Sequence, residues 1–287
     1  TNNFIGGLLG RGADTQVSSC VSLTNINVKG AEGASDGTVT RMNIIGGLIG
    51  QYALSGESSI NINTSNTESY ITIGDSEDNM STVINNLFVS TGVGYVYSNI
   101  ATVEIKQCVF IGEIDTVSYT MTEGTVSTEV EFDNALINVY SGGAVAYASN
   151  GINDASELTI DEVMVTTNIF VGSRNMGTTD GTDVLYAGGL VGQGYNVDII
   201  NSATTGRIVP ITDVYTDFTN INIGGMIGQA NSVDVLAAYS LTSIITDGVA
   251  DDVIQGIGED KFNVGALFGD LTLDTNEATD LYYSTDY

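Results

Sequence analysis

The sequence predicts an all-β chain coiled as a parallel β-solenoid of about seven repeat units, and three observations carry that expectation. A phrase of two glycines, two apolar residues and a glycine recurs from the first ten residues to the last twenty-five. The runs beside it alternate apolar with polar residues and break at Asn, Ser and Gly, the period-two pattern of short half-buried strands. β-Branched residues with Thr, Ser, Asn and Gly dominate, while Ala, Leu, Lys and Glu are sparse for the length, which argues against helix.

The phrase reads Gly6-Gly7-Leu8-Leu9-Gly10, then Gly46-Gly47-Leu48-Ile49-Gly50, Gly188-Gly189-Leu190-Val191-Gly192 and Gly224-Gly225-Met226-Ile227-Gly228. A looser copy is Gly265-Ala266-Leu267-Phe268-Gly269. Degenerate versions, Thr91-Gly92-Val93-Gly94-Tyr95 and Gly142-Gly143-Ala144-Val145-Ala146, occupy the stretch around 85–150. A fixed phrase returning every 36 to about 51 residues marks a repeat architecture, so 1–287 is read as one elongated domain. Whether the middle units are true rungs or a loop-rich insertion stays open at this stage.

Taken as one extended strand, the phrase points Ile5, Gly7 and Leu9 to one face and Gly6, Leu8 and Gly10 to the other. Glycine inside a strand marks a close backbone approach or a bend. The favoured placement is between the core and a covering strand or loop; the alternative is an exposed assembly stripe.

The clearest unit, 185–209, continues from the phrase through Val197 and Ile199, turns at Asn201-Ser202, and resumes with Thr204-Thr205-Gly206-Arg207-Ile208-Val209. A second copy over 221–246 repeats the order with Val233, Val235, Leu236, Leu241, Ile244 and Ile245. Each unit therefore supplies about three strands, and such units bury apolar surface only by stacking. An array of sandwich modules would need roughly 100 residues per module. Counted as 12 to 14 turns, the coil would be a rod of about 60 Å. Cys20 and Cys108 follow their phrases at similar offsets, which puts them in one column two units apart. That separation is at least ~9.5 Å, beyond disulfide reach, so free buried thiols are favoured over a bridge.

Seven Lys and Arg stand against 35 Asp and Glu, a net charge of −28. Such a chain has no footprint for nucleic acid and is repelled by anionic lipid. Apolar runs of four or five residues suit buried strands, and no membrane insertion is expected. Beginning at Thr1 inside a repeat, the sequence reads as a processed mature protein or as an excised segment of something longer.

Histidine is absent, which removes Ser-His-Asp and Cys-His catalysis and the His-based zinc sites. No phosphate-cradling glycine motif is present. Carboxylates cluster at Asp75, Glu77 and Asp78; at Glu129, Glu131 and Asp133; at Asp161 and Glu162; at Asp180 and Asp183; and at Asp251 and Asp252. A polysaccharide lyase or hydrolase would use such groups, but a lyase also needs a cation beside them, and the seven cations are scattered singly. The expectation is therefore that the chain is not an enzyme. Asp75, Glu77, Asp78, Asp251 and Asp252 lie in Gly- and Ser-rich segments with the hard oxygen ligands of a weak calcium site, calcium being the one cofactor considered. Asn63 and Asn79 head N-glycosylation sequons.

The variable segments 30–38, 74–81, 118–133, 150–157, 174–183 and 246–261 read as loops inserted into the scaffold, where repeat proteins tend to bind. Tyr140, Tyr147, Tyr186 and Tyr195 are candidate contact residues for a glycan or protein held there.

The order of Gly188-Gly189-Leu190-Val191-Gly192, an apolar strand, Asn201-Ser202 and Gly206 resembles the GLUG repeat of large bacterial surface proteins, including IgA-specific metallopeptidases and adhesins. The phrases near residues 5, 45, 187 and 223 carry the likeness, about half of the chain. Gly6, Gly7, Gly46, Gly47, Gly188, Gly189, Gly224, Gly225 and Gly265 are its structural residues here. The resemblance implies a right-handed parallel β-helix that serves as an extracellular scaffold, and it transfers no catalytic residue. Function is accordingly expected to be structural or adhesive, as a surface stalk or filament segment associating through its ends or with a host or cell-surface protein or glycan. A binding module is the alternative.

Overall fold

The computed structural model describes residues 2–28, 42–54, 60–73, 82–98, 102–116, 121–122, 125–126, 134–150, 158–173, 184–212, 220–245, 262–272, 278–279 and 282–283. Among these, all regular structure is β, arranged as a parallel β-helix of seven turns. The first sheet stacks Asn2–Gly6, Met42–Gly46, Thr82–Ser90, Asn134–Gly142, Val184–Gly188, Asn220–Gly224 and Phe262–Gly265 in sequence order. A second sheet follows each of these strands after a tight turn, and a third begins after a corner near Ser19, Thr64, Gln107, Glu162, Asn201 and Ala237. Pairing between successive turns is parallel throughout all three sheets. Each repeat unit makes one rung, so the coil has seven rungs and not the 12 to 14 expected from counting strands. Six steps of about 4.8 Å give a stack of roughly 29 Å.

The repeated glycines form one line. Gly6, Gly46, Ser90, Gly142, Gly188, Gly224 and Gly265 are consecutive partners in the first sheet. The third copy of the phrase is thus Ser90-Thr91-Gly92-Val93-Gly94, one residue earlier than the sequence alignment placed it, and the middle units are true rungs.

The phrase is a strand–turn–strand junction, not the single strand read from its alternation. The first-sheet strand ends at the first glycine, two residues bend, and the second-sheet strand resumes at the fourth position. A Cβ on Gly46 would overlap the carbonyl oxygen of Ile49, and Gly188 stands in the same relation to Val191. Hydrogen bonding continues through the bend: Leu48 and Ile49 N–H both donate to Gly92 O (2.9 and 3.2 Å), as Leu190 and Val191 N–H do to Met226 O (2.8 and 3.0 Å). Residues 43–50 and 185–194 are buried, so the stripe is packed between sheets in the interior rungs, as the favoured placement had it.

Two apolar seams hold the rungs. One lies between the first and third sheets, where Ile71, Ile114, Ile169 and Ile208 meet Ile45, Val89, Val139 and Leu185. The other fills the space enclosed by the second sheet and the start of the third, with Leu48, Ile62, Val96, Ile105, Phe110, Val165, Leu190 and Met226. Burial of this order, about 1.5–3 kcal/mol for each fully enclosed aliphatic side chain, offsets the entropy of fixing the rungs.

The degenerate middle is a compensated exchange of volume. Rungs with Leu48, Leu190 or Met226 in the bend carry Thr67, Thr204 or Ser240 at the facing position of the third sheet. In the third and fourth rungs the bend holds Gly92 and Ala144, and the facing positions hold Phe110 and Val165. The Phe110 ring occupies the space beside Gly92, where an added Cβ would lie 3.2 Å from it. Hydroxyls are exchanged as well. Ser22, Thr67 and Thr204 donate to the bend carbonyls of Gly47, Thr91 and Gly225 in the next rung, each at 2.9 Å. Phe110 has no hydroxyl for Gly143 O, and Ser90 Oγ (3.1 Å) and Thr91 Oγ1 (2.6 Å) serve that oxygen instead.

Candidate functional site

Alternation along the first and second sheets, combined with the one-residue-per-rung register, collects aromatic side chains from distant parts of the sequence. Phe88, Tyr140 and Tyr186 are consecutive partners in the first sheet. Tyr95 and Tyr147 are partners in the second sheet, with Tyr97 and Tyr195 two positions further along it. The two rows face each other across the wedge that opens beyond the glycine bend. Phe88 stacks on Tyr140 (centroids 4.8 Å, 10° between planes) and Tyr95 on Tyr147 (5.2 Å, 6°). Edge contacts join the rows: Phe88 to Tyr95 at 5.3 Å, Tyr140 to Tyr147 at 5.1 Å and Tyr147 to Tyr195 at 6.3 Å. Tyr186 closes on Tyr140 at 5.7 Å. Offset-stacked and edge-on pairs of this kind contribute roughly 0.5–1.5 kcal/mol each beyond their burial.

Phe88 and Tyr186 are buried, while Tyr95, Tyr97, Tyr140, Tyr147 and Tyr195 are half-buried, so the cluster presents phenol edges at the surface. Burial, followed by the neighbouring phenols, pushes Tyr147 up to about 12. Burial, then Tyr195 and Asp270, does the same for Tyr186. Tyr140 is raised further, by burial first and then by Tyr147, Tyr186 and Tyr195. Tyr95 is raised by burial against a hydrogen bond with Ser149. The phenols of Tyr95, Tyr140, Tyr147 and Tyr186 therefore stay neutral and act as hydrogen-bonding groups. Amides extend the rim, Gln193 Nε2 donating to Tyr195 Oη at 3.1 Å and to Gln229 Oε1 at 2.6 Å.

Sequence reading named Tyr140, Tyr147, Tyr186 and Tyr195 as contact residues in inserted loops. They come together, but on strands of the scaffold. Phe88, Tyr95 and Tyr97 complete the cluster and were missed; their spacing from the glycine phrase, the same as that of the named tyrosines, was the available signal.

The calcium candidates Asp75, Glu77, Asp78, Asp251 and Asp252 lie outside the described residues, as do Asn79 and the acidic groups 129–133 and 180–183. Among the described residues no group of three or more His, Cys, Asp or Glu is placed to hold a metal. Asp161 and Glu162 sit at a corner of the coil, where Gln107 Nε2 donates to Glu162 Oε2 at 2.9 Å. Asn63 belongs to a strand, between Ser18 and Lys106 of the adjoining rungs, and Ser65 of its sequon is buried with its hydroxyl on Asn63 O at 3.0 Å. Cys20 and Cys108 occupy the predicted column with Ser65 between them, and both are free thiols, Cys108 buried as expected and Cys20, on the end rung, only half-buried. No helix among the described residues is long and apolar enough to cross a membrane.

Comparison of the chain with protein-family models, with curated proteins and with solved structures returns no match.

Proposed function

We propose that the protein is a structural segment of an extracellular surface stalk or filament, akin in role to GLUG-repeat adhesins, whose rungs stack end to end on further copies or further repeats. The observation that carries this reading is the end rung. Leu8, Leu9, Ile5 and Ile26 of the first rung are partly or largely uncovered, whereas their partners Leu48, Ile49, Ile45 and Ile71 are enclosed. Among the described residues the strands of that rung are paired along one edge and not along the other. A free edge over an open apolar cross-section is a template for the next rung. Sedimentation over a concentration series should then give species that lengthen without limit, seen as fibres by electron microscopy. Leu8→Lys should cap them. Failure of the unmodified chain to grow beyond a fixed small assembly sinks this reading.

The aromatic cluster favours a second reading, a module that holds a glycan or a protein at its phenol rim. Tyr97→Phe and Tyr195→Phe remove rim hydroxyls and keep the rings. Retention on a glycan or cell-surface protein array that is the same for the variants and the unmodified chain would eliminate it.

A further inference from the structure

We infer that copies of this chain join head to tail in the register of the coil, the seventh rung of one seating on the first rung of the next with Asp270 against Arg11. The inference rests on the end-stacking reading above and fixes the partner, a second copy, and its polarity. Among the described residues the seventh-rung strands Phe262–Gly265 and Phe268–Thr272 are paired only with the sixth rung, and the first-rung strands Asn2–Gly6 and Leu9–Ala13 only with the second. Carrying the parallel register one step past the seventh rung sets like on like: Val264 on Ile5, Gly265 on Gly6, Leu267 on Leu8, Phe268 on Leu9 and Gly269 on Gly10. Val264 and Leu8 are exposed, by 41% and 44%, where the equivalent Ile45 and Leu48 of an interior rung are enclosed.

Charge selects this order. One column of the second sheet reads Arg11, Gln51, Tyr95, Tyr147, Gln193, Gln229 and Asp270 from the first rung to the seventh, a cation and an anion at its two ends with neutral side chains between. Arg11 is exposed and leans on the Phe4 ring at 5.5 Å, and Asp270 is half-buried. Six steps of about 4.8 Å separate the two charges within a copy, and a single such step separates them across the joint. A two-fold joint, first rung on first rung, would run its strands antiparallel, against the pairing between rungs throughout the coil. The head-to-tail joint is heterologous and does not close, which is the open growth that end stacking requires.

One position resists the joint. A Cβ on Gly7, Gly47, Gly143, Gly189 or Gly225 would overlap the carbonyl oxygen at the same position of the next rung. The seventh rung carries Ala266 there, so its methyl faces the Gly7 carbonyl of the next copy. The third rung shows that such a joint forms: Thr91 holds the same position, and the rung still stacks on the fourth with the Gly92 N–H redirected to Gly143 O at 3.1 Å. The joint between copies is therefore weaker than the joints within the chain, and Ala266 sets its strength.

Sedimentation velocity and electron microscopy of the full chain test this register. Arg11→Asp alone and Asp270→Arg alone should each lower the association constant roughly three- to tenfold, since like charges then meet at the joint. An equimolar mixture of the two variants should grow as the unmodified chain does, because alternating copies restore opposite charges at each joint. Ala266→Gly should lengthen the fibres and raise the constant. Circular dichroism checks that each variant keeps its β signal. Single variants that grow as well as the unmodified chain, a mixture no better than its parts, or Ala266→Gly without effect overturns this register and leaves end stacking in place. Failure of every chain to grow, Ala266→Gly included, overturns both.

Discussion

Gly46 shows how little freedom a single position can have. Its Cβ would collide with the Ile49 carbonyl, which is backbone and cannot step aside, so Gly46→Ala is expected to destabilise the fold by at least the ~1–3 kcal/mol of ordinary overpacking, read by urea denaturation. Ser90→Gly, at the same column, removes the hydroxyl bond to Gly143 O and the one received from Gly92 N–H, and should cost about 1–2 kcal/mol. The corner between second and third sheets asks for a left-handed residue on each of the first six rungs, supplied by Ser19, Thr64, Gln107, Glu162, Asn201 and Ala237 at φ of 48–55°. Alanine has no polar side-chain atom to bond the local backbone in this conformation, and Ala237→Gly is expected to raise stability by about 0.5–1 kcal/mol in the same assay. Tyr147 and Tyr186 titrate near 12 when folded against about 10 when unfolded. Their neutral forms are favoured in the fold, so this stability is complete below pH 10 and drains away as pH climbs through 12; phenolate absorbance should lag and then rise together with unfolding. The sequence displayed the glycines plainly because their spacing is local. It did not display the corner column, since six different residue types fill it.

At the scale of the element, the third sheet carries an isoleucine at one position of six successive strands: Ile26, Ile71, Ile114, Ile169, Ile208 and Ile244. Identical β-branched side chains nest along a parallel ladder, and Ile169→Ala in its middle should cost about 2–5 kcal/mol. Side-chain amides pair between rungs in the first sheet, Asn43 with Asn3 at 2.7 Å, Asn86 with Asn138 at 3.1 Å and Asn222 with Asn263 at 2.9 Å. The exchange between bend and third sheet makes a sharper forecast. Gly92→Leu sets a Cβ against the Ala144 carbonyl oxygen as well as overpacking Phe110, and should cost at least ~1–3 kcal/mol; Phe110→Thr alone should leave a cavity, and the two together should recover the part of the loss that ring and leucine share. Strict additivity in that double-mutant cycle would mean the two sites do not share a volume. Position-by-position reading scored 85–150 as a poor match because it weighed each residue against the phrase, whereas the rung conserves a sum across two strands that are about twenty residues apart.

For the molecule as a whole, stability is a sum of nearest-neighbour interfaces, and interior rungs have two neighbours where end rungs have one. Amide exchange should therefore be fastest in 2–28 and 262–272 and slowest in 158–173 and 184–212, with Cys108 alkylated only on unfolding because burial shields it and lifts its thiol to about 11. The all-β class, the seven-unit count, the shared line of glycines and the cysteine column all followed from the sequence alone, since period-two alternation and a fixed repeat are properties of consecutive residues. Which way each face points in a closed coil is not such a property. One turn per unit, the bend hidden inside the glycine phrase and seven aromatic rings gathered from residues 88 to 195 came only with the tertiary structure. Each of them depends on how strands 36 to 52 residues apart are brought to 4.8 Å, a register that the stacking of rungs imposes and no local pattern encodes.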